Sequence, residues 1–388
     1  SVMSKKEWTV IMYLNGSNEL AIEMENTFKQ LCKINKSNVN IVIQLSKAPI
    51  DLVRTIRQDD SSYAEDWTGT RRYSIINGNL EIVQSNEYIN MADYRNLYDF
   101  IKWAANKFPA KRYMVSISGH GFIVASLSDL CGKEPYIMGM YEMCTAINNL
   151  KNIIDIDILI LDICNMNTIE LIYELGKEKV NVVKYIMTYI NNGPLEGMDY
   201  NYIIQKIDDE PTNLILKNIV NKSNQNLVAI EVKHGKLEKI KELSNKLAYY
   251  WLLNNEEKAT KQEIKLYNDI YKKVDKVINQ LILCAQNIEQ RKRLIHLIFY
   301  NEYQIEDVES FVRFYYKLAF TKNNYCSNLM GRKSYTEKTN MKNSKIEQEI
   351  LDKRDIELFI SNFNGDSITY EEVKNIANNL YMKNNWII

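Results

Sequence analysis

Histidine is scarce in this sequence, proline is scarcer in its second half, and neither charge is in excess. Only three histidines occur in 388 residues, so chemistry that needs an imidazole near neutral pH must use His120, His234 or His296. Lysine plus arginine equals aspartate plus glutamate, 49 against 49. That balance gives no whole-chain field to attract nucleic acid or an anionic membrane surface, and neither partner is expected. The apolar runs are short as well. The longest, such as 153–163, are interrupted by aspartates and fall well below the ~20 residues of a membrane helix. Ser1 to Glu7 contain no apolar signal core before a strand-like run opens at Trp8. The expectation is a cytoplasmic chain, or a secreted one if a leader has been removed.

Three further absences narrow the chemistry. Cys32, Cys131, Cys144, Cys164, Cys284 and Cys326 form no CxxC pair and have no regular spacing. This argues against a zinc site or a dense disulfide framework and leaves free thiols as the simplest reading. After the first strand stands Asn15-Gly16-Ser17-Asn18, with one glycine and no following Gly-Lys pair. A nucleotide-binding α/β module would need that glycine-rich loop for the phosphates, so this class is disfavoured. Around Asn364-Gly365-Asp366, aligning the glycine with the sixth position of a calcium loop puts Ile360 where the first carboxylate belongs. The residues themselves call for no cofactor and no metal.

What the chain does have, from Trp8 to about Val232, is alternation of short β-branched runs with amphipathic stretches. This is the pattern of βα units that build a mostly parallel sheet. Strands are expected at 8–14, 39–45, 112–118, 154–161, 182–188 and 227–232, with 52–58 and 70–76 as a hairpin. The run Ile156, Ile158, Leu159, Ile160, Leu161 suggests strands covered on both faces. Leu20, Met24, Phe28 and Leu31 lie at helical spacing, as do Leu97, Phe100, Ile101 and Ala104, giving crossover helices over 18–33 and 94–107. After about Leu253 asparagine, lysine and glutamate rise, proline disappears, and helical periodicity runs over 258–301 and 305–316. The expected division is an α/β domain over 5–253 and an all-helical C-terminal region over 254–388, regulatory or partner-binding. Within the latter, 327–345 is polar and aperiodic, and Thr369 with Glu372 forms a capping-box pattern.

Chain polarity places the loops after parallel strands on one sheet edge, where open α/β folds carry their sites. Two loops there hold reactive groups: Ser118-Gly119-His120-Gly121 and Asp162-Ile163-Cys164-Asn165. A thiol protease needs a thiolate, an imidazole to move its proton, and backbone N–H groups to hold an oxyanion. Cys164 and His120 supply the first two. The glycines beside His120 permit a sharp turn and expose the Gly121 N–H, which with the Cys164 N–H could form the oxyanion hole. A helix opening near Asn167 would depress the thiol pKa. Taken alone, a cysteine at a strand end is more often core than nucleophile. His234 lies past the last core strand, and His296 is expected to pack in a helix.

His120 precedes Cys164 by 44 positions, close to the roughly 50-residue interval of caspases. The sequence resembles the clostripain family of cysteine peptidases, within the caspase-like and gingipain-like group. The resemblance lies in the segment from Trp8 to Leu20, in Ser118-Gly119-His120-Gly121, in Leu161 to Met166 with Glu170, and in Gly193 to Tyr200. Together these reach over about the first two thirds of the chain. The resemblance implies a caspase-like three-layer sandwich, a Cys-His dyad of Cys164 and His120, and peptide or protein substrates cleaved after a basic P1 residue. It places Asp162, two residues before the nucleophile, near the S1 pocket, with Asp199 as a second S1 residue. A loop-bracing role for Asp162 is an equal reading. The family implies calcium for some members, and loop processing for which Lys133 is the nearest basic candidate. Phe122-Ile123-Val124 depart from the family's usual glycine and tryptophan after the His-Gly pair. The alternative is a caspase-like pseudoenzyme or partner-activated protease, with a regulatory protein or ligand bound through the C-terminal helices.

Overall fold

The structure, a computed structural model, describes residues 5–57, 63, 65–121, 124–133, 135–254, 261–286, 293–298 and 314–326. Strand β1 (Lys6–Gly16) leads through α1 (Ala21–Cys32) to β2 (Val39–Lys47), then to α2 (Ile50–Ile56), β3 (Gly69–Ile76) and β4 (Asn79–Asn86). Helix α3 (Tyr94–Lys107) returns the chain to β5 (Ala110–Ser118), followed by β6 (Ala125–Asp129), β7 (Tyr136–Gly139) and α4 (Met140–Asn148). Next come β8 (Ile156–Asp162), α5 (Ile169–Gly176), β9 (Val183–Tyr189), α6 (Tyr200–Lys206), α7 (Thr212–Lys222) and β10 (Leu227–Glu231). Helices α8 (His234–Asn254) and α9 (Lys261–Asn279) precede β11 (Ile282–Ala285).

Nine strands form one sheet in the order β11-β10-β9-β8-β5-β1-β2-β3-β4, and β6 with β7 makes a separate hairpin. The five strands β2, β1, β5, β8 and β9 are parallel neighbours. The pairs outside them, β2–β3, β3–β4, β9–β10 and β10–β11, are antiparallel. Period-2 alternation along β1 sends Val10, Met12 and Leu14 to one face and Ile11 and Tyr13 to the other, and all five are buried. Helices α3, α4, α5 and α8 cover the second face through Phe100, Met143, Leu171 and Leu237. Met24 of α1, Ile203 of α6 and Leu216 of α7 cover the first. The architecture is the expected α/β three-layer sandwich.

Several local expectations are corrected. Residues 52–58 are not a strand: Pro49, with φ −59°, starts α2, which buries only Val53 at high completeness and leaves most of its surface outside. The hairpin partner of β3 is β4, joined through Asn77 and Gly78 at φ 52° and 77°. An Asn-Gly pair is the residue choice that a tight hairpin with two positive φ values needs. Nor is the described chain beyond 253 a separate all-helical unit, since β11 extends the central sheet by pairing with β10. Its run Ile282, Leu283, Cys284, Ala285 is apolar enough to be covered as an edge strand, and α7 packs over Cys284. Residues 299–313 and everything after 326, including the polar stretch, the Gly365 segment and the Thr369 capping pattern, lie outside the described residues.

Buried carboxylates fasten the segments after 286 to the sandwich. Both carboxylate oxygens of Glu170, which is fully buried, accept the Ile298 N–H at 2.9 and 2.7 Å. Glu174 accepts the Ala319 N–H at 2.8 Å, and Glu142 pairs with Lys317. Replacing Glu170 with alanine strands a buried N–H, so Glu170→Ala should lower unfolding stability by about 2–3 kcal/mol. Urea denaturation followed by fluorescence checks it; a loss under about 0.5 kcal/mol contradicts a fastening role.

Candidate active site

Adjacent parallel strands bring their following loops together at one edge. Leu14 of β1 is level with Ser118 of β5, Ser118 with Asp162 of β8, and Leu161 with Thr188 of β9. Residues a few positions past those strands therefore meet. One pocket is lined by Glu23 and Met24 of α1, by Gly119, His120 and Gly121, by Asp162 and Cys164, and by Tyr189 with 193–197. The sequence-predicted pair His120 and Cys164 thus shares a single cavity.

Cys164 is part-buried, and its Sγ accepts the Gly193 N–H at 3.3 Å. Burial raises its pKa, the Gly193 N–H works in the opposite direction, and the nearby Asp162 charge raises it again; the net shift is upward. The expected depression by a helix N-terminus is not realised. Helix α5 starts only at Ile169, and its first N–H is already taken by the His296 carbonyl at 2.7 Å. Gly121 packs its backbone against the Cys164 carbonyl so closely that a β-carbon there would overlap it. The two residues expected to hold an oxyanion are in direct contact. Phe122 and Ile123 lie outside the described residues.

His120 is 7% exposed, and its Nε2 faces Oε1 of Glu19, which is 4% exposed. Asp162, 8% exposed, sits at the base of the pocket. Its Oδ1 accepts the Tyr189 hydroxyl at 2.6 Å, and its Oδ2 accepts the Tyr200 hydroxyl at 2.6 Å and the Met198 N–H at 3.1 Å. Burial pushes its carboxyl above the usual range in spite of these donors. Gly197, at φ +79°, lets the chain pass so near that a β-carbon would lie 2.9 Å from Oδ2.

Other candidates fall elsewhere. Asp199 is the N-cap of α6, accepting the Tyr202 N–H at 3.1 Å, and it lines a neighbouring hollow with Gln30 and Gln225 instead of the Cys164 pocket. Its neighbours Met198 and Tyr200 donate to Asp162, but Asp199 does not itself line that pocket. Lys133 is exposed in the turn between β6 and β7. His234 opens α8, its Nδ1 against the Gly176 carbonyl at 3.0 Å. His296 is not helical: it forms a bridge with Thr168, and its Nε2 contacts Asn191 Oδ1. Sequence reading gave no role to Glu19, Glu23, Gly193, Tyr189 or Tyr200. Glu19, Gly193 and Tyr200 do stand within the motif segments, so position in a motif was their signal; Tyr189, as the last residue of β9, carried none. Among the described residues no group of three or more His, Cys, Asp or Glu is placed to hold a metal ion, and no helix is long and apolar enough to cross a membrane.

A part-buried thiol and an imidazole lining one cavity at the carboxyl edge of the sheet are the groups that a cysteine hydrolase uses. The sequence profile of the clostripain family matches residues 12–386, so the chain belongs to the clostripain family and is a cysteine peptidase. The match extends far past the two thirds that the motifs cover. A secreted C11 cysteine protease of Bacteroides thetaiotaomicron, "iotapain", is similar in structure with a TM-score of 0.51 and 14% identity, over 73% of this chain and 87% of its own. Such a protease from the same organism in complex with an irreversible peptide inhibitor gives a TM-score of 0.49 at 14% identity, covering 72% and 84%. An inactive zymogen C11 protease of Parabacteroides distasonis gives 0.48 at 13% identity, covering 86% and 82%. At these identities the likeness is one of fold. No curated protein matches the chain.

The raised thiol has a measurable consequence. Alkylation of Cys164 by iodoacetamide without substrate should be slow at pH 7 and accelerate with a midpoint above the ~8.5 of a free cysteine. Mass spectrometry of the labelled peptide across a pH series checks it; a midpoint below about 7 would mean a thiolate stabilised at rest.

Proposed function

We propose that the chain is an endopeptidase that cleaves after arginine or lysine, with Cys164 as nucleophile and His120 as its proton-transfer partner. The observation that carries this reading is the lining of the pocket. Beside the thiol and imidazole it holds the carboxylates Glu23, Asp162 and Glu196 and, among the described residues, neither a lysine nor an arginine. Its volume is about 60 Å³, room for roughly four waters or the end of one side chain. A guanidinium or ammonium entering there meets more carboxylates than cations, with Arg57 paired to Glu23 and Asp162 already fixed by Tyr189 and Tyr200.

In this mechanism His120 takes the Cys164 proton as substrate docks, and the thiolate attacks the carbonyl carbon after the basic residue. Backbone N–H groups of Gly121 and Cys164 hold the developing oxyanion. His120 then returns the proton to the leaving amine, and water hydrolyses the thioester. The Gly193 N–H against Sγ offsets part of the cost of forming a thiolate in a part-buried site. Because burial raises the Asp162 carboxyl, substrate binding should weaken as pH falls toward that raised value, when the carboxyl protonates and loses its charge.

Fluorogenic peptides ending in Arg, Lys, Asp or Leu test the reading, with and without calcium. Cys164→Ala should abolish turnover, and Asp162→Asn should cut kcat/KM on basic peptides by about 100-fold while sparing the others. Preference for Asp or Leu peptides by the wild type, or activity surviving in Cys164→Ala, would refute it.

A further inference from the structure

Glu19 is a buried acid at the site that the proposed steps do not use. It stands three residues past the end of β1, and His120 stands two past the end of β5. Those strands are parallel neighbours with Leu14 level with Ser118, so the two loops leave the sheet side by side. Glu19 Oε1 meets His120 Nε2, with both side chains almost fully withdrawn from water. Burial by itself would raise the Glu19 carboxyl; the facing His120 charge and hydrogen bond, a backbone hydrogen bond and Arg57 more than reverse this and hold it below its ordinary value. It is therefore a carboxylate at neutral pH. The segment is also held from behind: Arg57 Nη1 donates to the Glu19 carbonyl at 3.1 Å and pairs with Glu23. The Asn18 side chain anchors the same turn by donating to the Ser128 carbonyl at 3.0 Å and accepting the Leu20 N–H at 2.9 Å.

We infer that Glu19 is the positioning residue of His120, holding its Nε2–H so that Nδ1 is the nitrogen that exchanges the proton with Cys164. This rests on the peptidase reading for its catalytic meaning, though not for its geometry. A neutral imidazole carries one N–H, and a carboxylate at Nε2 draws that hydrogen there, leaving the Nδ1 lone pair as base. When the S–H bond breaks, its proton goes to Nδ1 and the electron pair stays on sulfur. The ring is then a cation in contact with a fixed anion. Glu19 stabilises that charged state and accepts no proton itself; the same proton later leaves Nδ1 for the departing amine. Among the described residues the charged and titratable groups around His120 are Glu19, with Arg57 and Glu23 behind it, Asp162 at the end of β8, Cys164 from the loop that follows, and Tyr189 and Glu196 across the pocket. Glu19 is the acid whose charge and hydrogen bond couple to the ring. A merely structural acid would leave the tautomer and the pH profile unaffected when its charge is removed.

Two measurements on the full chain decide this. The first is ¹⁵N NMR of the histidine-labelled protein at neutral pH, with His120 assigned by comparing His234→Gln and His296→Gln variants. A protonated Nε2 with bare Nδ1 is expected; the opposite tautomer overturns the proposal whether or not any peptide is cleaved. The second is Glu19→Gln, which retains an acceptor oxygen and removes the charge. It should lower kcat by on the order of 100-fold, leave KM within about twofold, and move the acid limb of kcat/KM to lower pH because the imidazolium has lost its partner. Glu19→Asp should recover part of the rate. Wild-type kcat in Glu19→Gln, or a lowered kcat with an unmoved acid limb, overturns the proposal. If Glu19→Gln does not fold, the wild-type tautomer alone decides.

Discussion

Everything at this site depends on the register of four parallel strands. β1, β5, β8 and β9 are consecutive neighbours running the same way, and each delivers one loop to the same edge. Glu19 follows β1, His120 follows β5, Cys164 follows β8 and Gly193 follows β9. No long-range loop has to be ordered to bring them together, because the ladder hydrogen bonds have already done so. The register is enforced by burial on both faces. A slip of one residue would carry Ile11 and Tyr13 to the face of Val10 and Met12 and would misplace the cores under both helical layers. The sheet also reverses its direction of growth between β1 and β5, and the Glu19 and His120 side chains meet at that switch point.

Building acids into such an edge requires donors to be built with them. Asp162 loses most of its water, and burial without partners would cost several kcal/mol. Two tyrosine hydroxyls and a backbone N–H replace that hydration, and each comes from a later part of the chain. The Met198 N–H reaches it only because Gly197 adopts a positive φ next to the carboxylate. Gly121 serves the backbone in the same way beside Cys164. The glycines in these motifs are therefore steric requirements of the site, set by what a β-carbon would strike.

The strands and crossover helices were legible in the sequence because their burial is two-sided and periodic: α3 occupies 94–107 as its spacing predicts, and β8 is the continuous aliphatic run. The placing of His120 and Cys164 at one edge followed from chain polarity alone. What was not legible depended on tertiary contacts. β4 exposes Leu80 and Ile82, so it offers little apolar alternation, and its hairpin signal lay in Asn77-Gly78. β11 is only four residues long and sits inside helical periodicity, and its pairing with β10 overrides local preference. Asp199 could not be told from a capping residue by type, since aspartate suits both roles, and the structure places it at the N-cap. Glu19 required knowing which side chain its loop faces.

The segment around His296 shows how the C-terminal part of the chain takes part in the site without entering the pocket. Asn165, next to Cys164, has a φ of 59° and donates its N–H to the Asn191 carbonyl at 2.7 Å; Asn191 itself has a φ of 66°. Asparagine tolerates that left-handed geometry better than most residues. The side chain of Asn191 is in turn held by Asn167 and His296, while the Asn167 amide also donates to the Leu294 carbonyl at 2.9 Å. Two residues after Asn191, Gly193 presents its N–H to the Cys164 sulfur. Burial and then Arg293 lower the His296 pKa to about 4. Above that pH the ring is neutral and can donate one N–H to the Asn191 oxygen, and across the neutral range its state does not change. His296 is therefore a constant brace for the loop that presents Gly193, and it holds that N–H against the Cys164 sulfur through the Asn191 side chain without changing charge.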